Sequence, residues 1–386
     1  MGLLDYYRQF EGMSEEEVNV GLREEAAERR RKALTRVETL DLSLTTWPEL
    51  PHPRIVSAIT FVARRGLNRY PHLLGSDLRG VLAERHGVDP ERLILGNGAA
   101  DLLSAATRAL LEPGQQLLTH WPSYPLYPIM ARRAHGRAVR VSAGDGNAGG
   151  GASAGANANA SAGVDALLEA AALEPDVRAI ALASPNDPTG ELLPAAELQR
   201  LLEQLPASVA VLLDESLVEF ADAQPSSSSL ALLEHHPRLL VFRSFSKAWG
   251  LAGLRIGYAI GAPGSGELLA ELAPDLGVSE ISQAGAFEAL HSCSELIDRR
   301  VRTICEERPR LTAGLRDMGF EVTDSQANFV WAAHPALAGG ELAARLARAG
   351  VLVAAGDALG EPQRVRIAIH SAAATDRLLS SVEKAL

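Results

Sequence analysis

Cysteine is scarce: the 386 residues contain two, Cys293 and Cys305. Two thiols build neither a disulfide framework nor a four-cysteine zinc site, and both are expected on buried helix positions. The ten histidines show no HExxH or paired-ligand spacing, and His235 and His236 stand just before Pro237 in an expected loop, so no metal is expected. No apolar run approaches the roughly 18 residues that a membrane span needs. Residues 1–10 lack the basic-then-apolar pattern of a signal peptide. A soluble, cytoplasmic protein is the expectation. Basic charge is short as well: 37 Lys and Arg against 48 Asp and Glu give a net charge of -11. That balance disfavours nucleic acid, whose phosphates call for a basic face. The one dense basic run, 29–32, lies beside Glu24, Glu25 and Glu28 and reads as a solvated, salt-bridged helix face.

What is present is core material. With 47% hydrophobic and 22% charged residues, the chain has ordinary globular composition, and its length suits two domains of unequal size. Residues 14–36 are rich in Glu, Arg and Ala, and Ser14 followed by Glu17 forms a capping box, predicting an N-terminal helix or arm. After a loop over 68–75, a helix is expected over 77–86 and a strand over 92–95. Strand and helix then alternate: strands over 116–119, 138–141, 179–183, 209–213 and 239–243, helices over 101–111, 164–174 and 194–204. Such alternation argues for a mainly parallel α/β sheet covered on both faces.

Residues 143–163 interrupt the alternation with almost nothing but Ala, Gly, Asn and Ser. Lacking bulky apolar groups, such a segment cannot offset its ordering entropy and reads as a mobile surface insertion. From about 289 the pattern changes to a long charged helix over 295–318, a strand near Phe329, a helix over 340–349 and strands at Val351 and Val365. This predicts a smaller α+β unit. The division is therefore 1–52 as an arm and part of the small domain, 53–288 as the large domain and 289–386 as the small one, with 275–288 as the junction.

The segment richest in chemistry is RSFSKAWGLAGLRIGY, residues 243–258. Lys247 follows an expected strand among hydroxyls (Ser244, Ser246) and small residues, with Arg255 eight positions later. A desolvated amine beside a fixed cation has a lowered pKa and becomes a nucleophile. The hydroxyls and guanidinium suit a phosphate. LILGNGAADLL, residues 93–103, reads as strand, glycine turn and helix start, where the amides of Ala99 and Ala100 can also hold a phosphate. VLLDESLVEF, residues 211–220, places Asp214 at the end of a buried apolar strand, where a carboxylate needs a cationic partner.

These segments, with WPSYPLYP (121–128), ASPNDPTG (183–190), SQANFV (325–330) and QRVRIAI (363–369), resemble the fold-type I pyridoxal 5'-phosphate (PLP)-dependent aminotransferases of class I/II. The resemblance is to the histidinol-phosphate aminotransferase-like branch and runs from about residue 40 to 370, outside the glycine-rich insertion. It implies a mainly parallel seven-stranded sheet with helices on both faces, plus a smaller α+β domain. It further implies a Schiff base between Lys247 and PLP, with Ser244, Ser246, Arg255, Ala99 and Ala100 at the cofactor phosphate. Asp214 would pair with the pyridine nitrogen and keep the ring an electron sink, and Tyr124 would stack on that ring. Arg366 would grip a substrate carboxylate, Asn328 would be structural, and Tyr70 would reach across a homodimer interface to the neighbouring cofactor phosphate. The activity implied is transfer of the amino group of a small amino acid to a 2-oxo acid, with Lys247 as general base.

The chain departs from that pattern at one cofactor atom. Asp187 stands where the family usually has an asparagine, and Leu217 where most members have a tyrosine, both contacting the cofactor's phenolic oxygen O3'. Asn186 or a protonated Asp187 are the substitutes at hand. The branch's phosphate-gripping arginine is replaced by Ala354, and its NENP-type segment by LTTWPELP (44–51), which argues against histidinol phosphate as substrate. Two other readings stay open at this point: a decarboxylase or lyase on the same scaffold, such as threonine-phosphate decarboxylase, and a PLP-binding regulator without catalysis.

Overall fold

The computed structural model describes residues 39–72, 75–142 and 156–386, together with Glu24. Apart from Glu24, which is helical, the helix expected over 14–36 lies outside the described residues, as does the insertion over 143–155. In chain order the elements are β1 (Leu40–Leu42), α1 (Pro53–Gly66), α2 (Ser76–His86), β2 (Leu93–Gly96), α3 (Ala99–Leu110), β3 (Gln116–His120), α4 (Leu126–Arg133) and β4 (Arg137–Val141). There follow α5 (Ala156–Leu173), β5 (Val177–Ala183), α6 (Ala195–Gln204), β6 (Ala210–Asp214), α7 (Ser228–Leu232), β7 (Leu239–Ser244), β8 (Gly257–Gly261) and α8 (Gly266–Glu271). The chain ends with α9 (Glu280–Ser292), α10 (Ser294–Asp317), β9 (Glu321–Val322), β10 (Phe329–Ala333), α11 (Gly339–Arg348), β11 (Val351–Ala355), β12 (Arg364–Ala368) and α12 (Ala372–Ala385).

Seven strands form one sheet in the order β2-β8-β7-β6-β5-β3-β4. The pairs from β7 to β4 are parallel, whereas β8 runs antiparallel to both β7 and β2. The central strands are continuous apolar runs because helices cover both faces. Along β6, Val211 and Leu213 enter one core cluster and Leu212 the other; Val241 and Phe242 of β7 divide in the same way. This is the two-residue alternation of a pleated strand. The expected mainly parallel seven-stranded α/β sheet is the architecture found. A second sheet has the order β1-β11-β12-β10-β9, in which β1 joins from the N-terminal side, parallel to β11.

Two expectations are corrected. Residues 156–163 belong to helix α5 and not to the insertion: their alternating alanines are strong helix formers, and the helix over 164–173 extends through them. The junction segment 275–288 is mostly helix α9, which packs on α1 and runs past residue 288. The chain breaks at Cys293 instead, where φ is -125°. Of the two thiols, Cys293 is buried at that break and Cys305 is half-buried in α10.

Candidate active site

The C-terminal ends of β5, β6 and β7 meet the start of α3 around a cavity of about 210 Å³. Topology places the residues there: parallel strands deliver their C-terminal ends to one edge, where an open α/β sheet forms its crevice. Lining it are Ala99 and Ala100, Tyr124 and Tyr127, Asp187, Asp214, Ser244, Ser246, Lys247 and Arg255, along with Thr46, Ser216 and Leu217. Ten residues from five separate sequence segments therefore converge.

Lys247 lies in the loop after β7, and the loop is held on both sides. Phe245 and Ala248 are fully buried, and the Phe245 and Trp249 rings pack 5.4 Å apart. The amide of Leu251 donates to the carbonyl of Phe245 at 2.9 Å, and Arg300 donates to the carbonyl of Ala248 at 3.0 Å. Gly250 has φ +69°, and a Cβ there would stand 2.6 Å from Arg300 Nη1, so glycine is required on both counts. Beneath the loop, a buried ion pair joins Arg243 of β7 to Glu215, at 2.8 Å, and Ser229 donates to the other carboxylate oxygen of Glu215. Trp249 Nε1 donates to Glu219 at 3.1 Å.

The Lys247 amine donates to the Thr45 hydroxyl. Burial lowers its pKa; Asp187 opposes this, Arg366 adds to it, Asp214 opposes it and Arg255 adds to it again. The amine is thereby biased toward the neutral, nucleophilic form.

Asp214 ends β6 at 8% exposure. Its Oδ2 accepts from the Tyr127 hydroxyl at 3.2 Å and its Oδ1 from the Ser216 amide at 3.0 Å. Burial raises its pKa, and the Ser216 and Tyr127 hydrogen bonds counteract that, so the carboxylate is primed for a cationic ligand. Tyr124 flanks the cavity, its ring set edge-on to Tyr127 at 5.8 Å and 76°.

At the opposite wall, α3 starts without a side-chain cap, leaving early backbone amides free to meet an anion. Gly98 has φ +96°, and a Cβ there would lie 2.6 Å from Arg255 Nη2. Glycine is what allows the guanidinium to approach the helix start. Arg255 Nη1 also contacts the Ser246 hydroxyl at 3.4 Å. Gly257 of β8 performs a similar service, since its Cβ would stand 2.6 Å from the Ala99 amide nitrogen.

Three expected site residues are placed elsewhere. Asn186 does not line this cavity: its amide donates to the Pro122 carbonyl and the Thr189 hydroxyl, and its oxygen accepts from Ser123 at 2.7 Å. It is a fastener of its loop and has no donor left for a cofactor oxygen. Arg366 is also absent from the lining because Asp187 stands in front of it, 2.5 Å from its Nη1. Tyr70 is 81% exposed and outside the cavity formed within its own chain. Sequence reading missed Thr45 and Tyr127. The second tyrosine was visible as a repeat one helical turn after Tyr124, whereas Thr45 is 202 residues from Lys247 and carried no local signal. Asn328, expected to be structural, donates to the Thr45 carbonyl at 3.0 Å.

A sequence profile of the family described as Aminotransferase class I and II matches residues 39–382. An aromatic amino acid aminotransferase of Corynebacterium efficiens is 34% identical over 86% of this chain and 89% of its own length. A histidinol-phosphate aminotransferase of Ralstonia nicotianae is 36% identical over 83% of this chain and 82% of its own. Among solved structures, histidinol-phosphate aminotransferase of Sinorhizobium meliloti in complex with PLP superposes with a TM-score of 0.77 at 25% identity, over 94% of this chain and 93% of that one. The chain thus belongs to the class I and II aminotransferase family and is a pyridoxal 5'-phosphate-dependent aminotransferase.

Proposed function

We propose that this enzyme moves an amino group between a small amino acid and a 2-oxo acid at Lys247. The observation that carries the assignment of roles is the convergence of Lys247, Asp214, Tyr124 and Arg255 on one cavity. The residues fit the cofactor: the α3 start, Arg255 and Ser246 make an anion cradle that a Cβ on Gly98 would obstruct, and a buried carboxylate stands across from it.

In that cradle the Ala99 and Ala100 amides, Ser244, Ser246 and Arg255 hold the phosphate. Asp214 holds the proton on the ring nitrogen, and Tyr127 holds Asp214. Tyr124 fixes the ring plane. PLP, when bound, would supply the electrophilic carbon and the electron-accepting ring that chemistry at the substrate Cα needs. Lys247, its amine biased toward the neutral form by burial, would act as the base that takes the proton from the substrate Cα. Thr45 positions the lysine amine. Arg366 anchors the substrate carboxylate once it is reached. Asp187 lines the cavity at the position where the family usually has the asparagine donor to O3'.

The site assignment goes with two units that part at Cys293, the first, from residue 53, holding the cofactor and the second, with β1, bringing Arg366. The outward position of Tyr70 supports a homodimer in which it serves the neighbouring phosphate. No helix among the described residues is long and apolar enough to cross a membrane; a cytoplasmic address is part of the proposal. Incubation with an amino-acid panel and 2-oxoglutarate tests the substrate reading. Glutamate formation with at least one small amino acid is expected; release of ammonia, pyruvate or carbon dioxide without glutamate contradicts it.

A further inference from the structure

The residue that faces the substrate space is Asp187, and the arginine that should meet a substrate carboxylate is behind it. Asp187 lines the cavity and Arg366 does not. Their side chains are 11% and 13% exposed, with Nη1 to Oδ1 at 2.5 Å. Arg366 Nη2 is engaged too, donating to the Ser43 carbonyl at 3.2 Å, and its guanidinium carbon lies 5.5 Å from the centre of the Phe329 ring.

Nor is Asp187 a loose side chain that happened to find a cation. The neighbouring Asn186 uses its side chain on Ser123, Pro122 and Thr189. Its backbone closes the turn through Asn186 N to Glu191 O at 2.8 Å and Gly190 N to Asn186 O at 2.7 Å. The same loop is tied to the second sheet by Gln326 N to Gly190 O at 2.7 Å and the Thr323 hydroxyl to the Thr189 carbonyl at 2.6 Å. Asp187 is built in at this position, and it bridges a loop of the seven-stranded sheet to β12 of the other.

We propose that Asp187 is an internal carboxylate that competes with the substrate's own for Arg366, and so determines how strongly the site selects for carboxylate-bearing ligands. An incoming carboxylate meets a like charge first and must displace Asp187 to form its ion pair. Exchange of one buried carboxylate for another gains little, since the displaced group loses its partner in a poorly hydrated place. Neutralising residue 187 leaves Arg366 in want of an anion, and the substrate then supplies it.

The inference rests on the proposed placement of Arg366 beside the substrate carboxylate, but its test does not require turnover. The holoenzyme is titrated with propionate and with propionamide, unreactive ligands of equal size, following the visible absorbance of bound PLP. Wild type is expected to bind the two with similar affinity. In Asp187→Asn, propionate should bind at least about tenfold more tightly while propionamide stays within about twofold, tenfold corresponding to about 1.4 kcal/mol. The gain should vanish in Asp187→Asn/Arg366→Gln. In turnover the single variant should show a lowered KM for the 2-oxo acid with a smaller change in kcat, a split that a merely structural role does not give. Wild type preferring propionate tenfold over propionamide, an unchanged or weaker propionate affinity in Asp187→Asn, or a gain that survives loss of Arg366 would each overturn the proposal. The wild-type comparison stands even if the variant fails to fold. Failure of the amino-acid reading shows separately, as absence of glutamate.

Discussion

Removing one hydroxyl, in Tyr127→Phe, isolates how Asp214 is kept ready for the cofactor. The ring of Tyr127 is fully buried, so phenylalanine preserves its packing and its edge-on contact with Tyr124. What is lost is the hydrogen bond at 3.2 Å to Asp214 Oδ2. The phenol pKa is raised well above its ordinary value, first by burial and then by Asp214 itself, so tyrosine is the donor. Hydrogen bonds to charged groups contribute about 1.5–3 kcal/mol. The long separation puts this one near the lower end, about 1.5 kcal/mol, or roughly tenfold in binding. The sign follows from the raised Asp214 pKa: with one donor fewer, the buried carboxylate is still harder to keep charged, and it meets the protonated ring nitrogen less often. Titration of the apoprotein with PLP, read by visible absorbance, should show affinity reduced about tenfold at neutral pH, since a 1.4 kcal/mol loss is a factor of ten. An affinity equal to wild type or tighter would refute the role given to Tyr127.

Other perturbations separate the frame from the site. Glu215→Ala leaves Arg243 buried without its partner and should lower unfolding stability by about 3–5 kcal/mol, measured by urea denaturation. His86 donates to or accepts from the Tyr258 hydroxyl at 2.9 Å, and burial, with Arg243 and Arg85 nearby, lowers its pKa from 6.5 to about 3. The unfolded chain thus binds a proton that the folded one refuses between those values, so stability falls as pH drops from 6.5 to 3. His86→Gln should flatten that part of the stability profile by up to about 4 kcal/mol; an unchanged slope would contradict the assignment. Gly98→Ala combines a strained φ with a Cβ 2.6 Å from Arg255. It should destabilise by about 1–3 kcal/mol and weaken PLP binding, with calorimetry and absorbance titration as the checks.

The legible parts of the fold were those with local causes. Strands β5, β6 and β7 are short, mainly apolar runs closed by Ser184, Asp214 and Ser244, and Lys247 lies among hydroxyls in an otherwise apolar stretch, so both could be read from neighbouring residues. Strand β8 was not foreseen, because GYAIG is short, carries two glycines and is defined only by its antiparallel partners. Helix α4 was hidden by Pro125 and Pro128, although proline at a helix start is compatible with its fixed φ. The site divided along the same line. Candidates contributed by one loop each could be named from neighbouring residues and line one cavity, whereas the contacts of Thr45 with Lys247 and of Asp187 with Arg366, 202 and 179 residues apart, exist only after folding. In the sequence Asp187 is visible only as a change of residue type; that it covers Arg366 is a fact of tertiary packing.

The reading turns on Lys247 as the residue that carries the cofactor and moves the proton. The most direct measurement is the visible absorption spectrum of purified Lys247→Ala with added PLP, alongside glutamate formation. The lysine-bound cofactor band of wild type should be lost, with transfer activity abolished while the protein remains folded by circular dichroism. An unaltered band with persistent amino transfer in the variant would contradict the assignment.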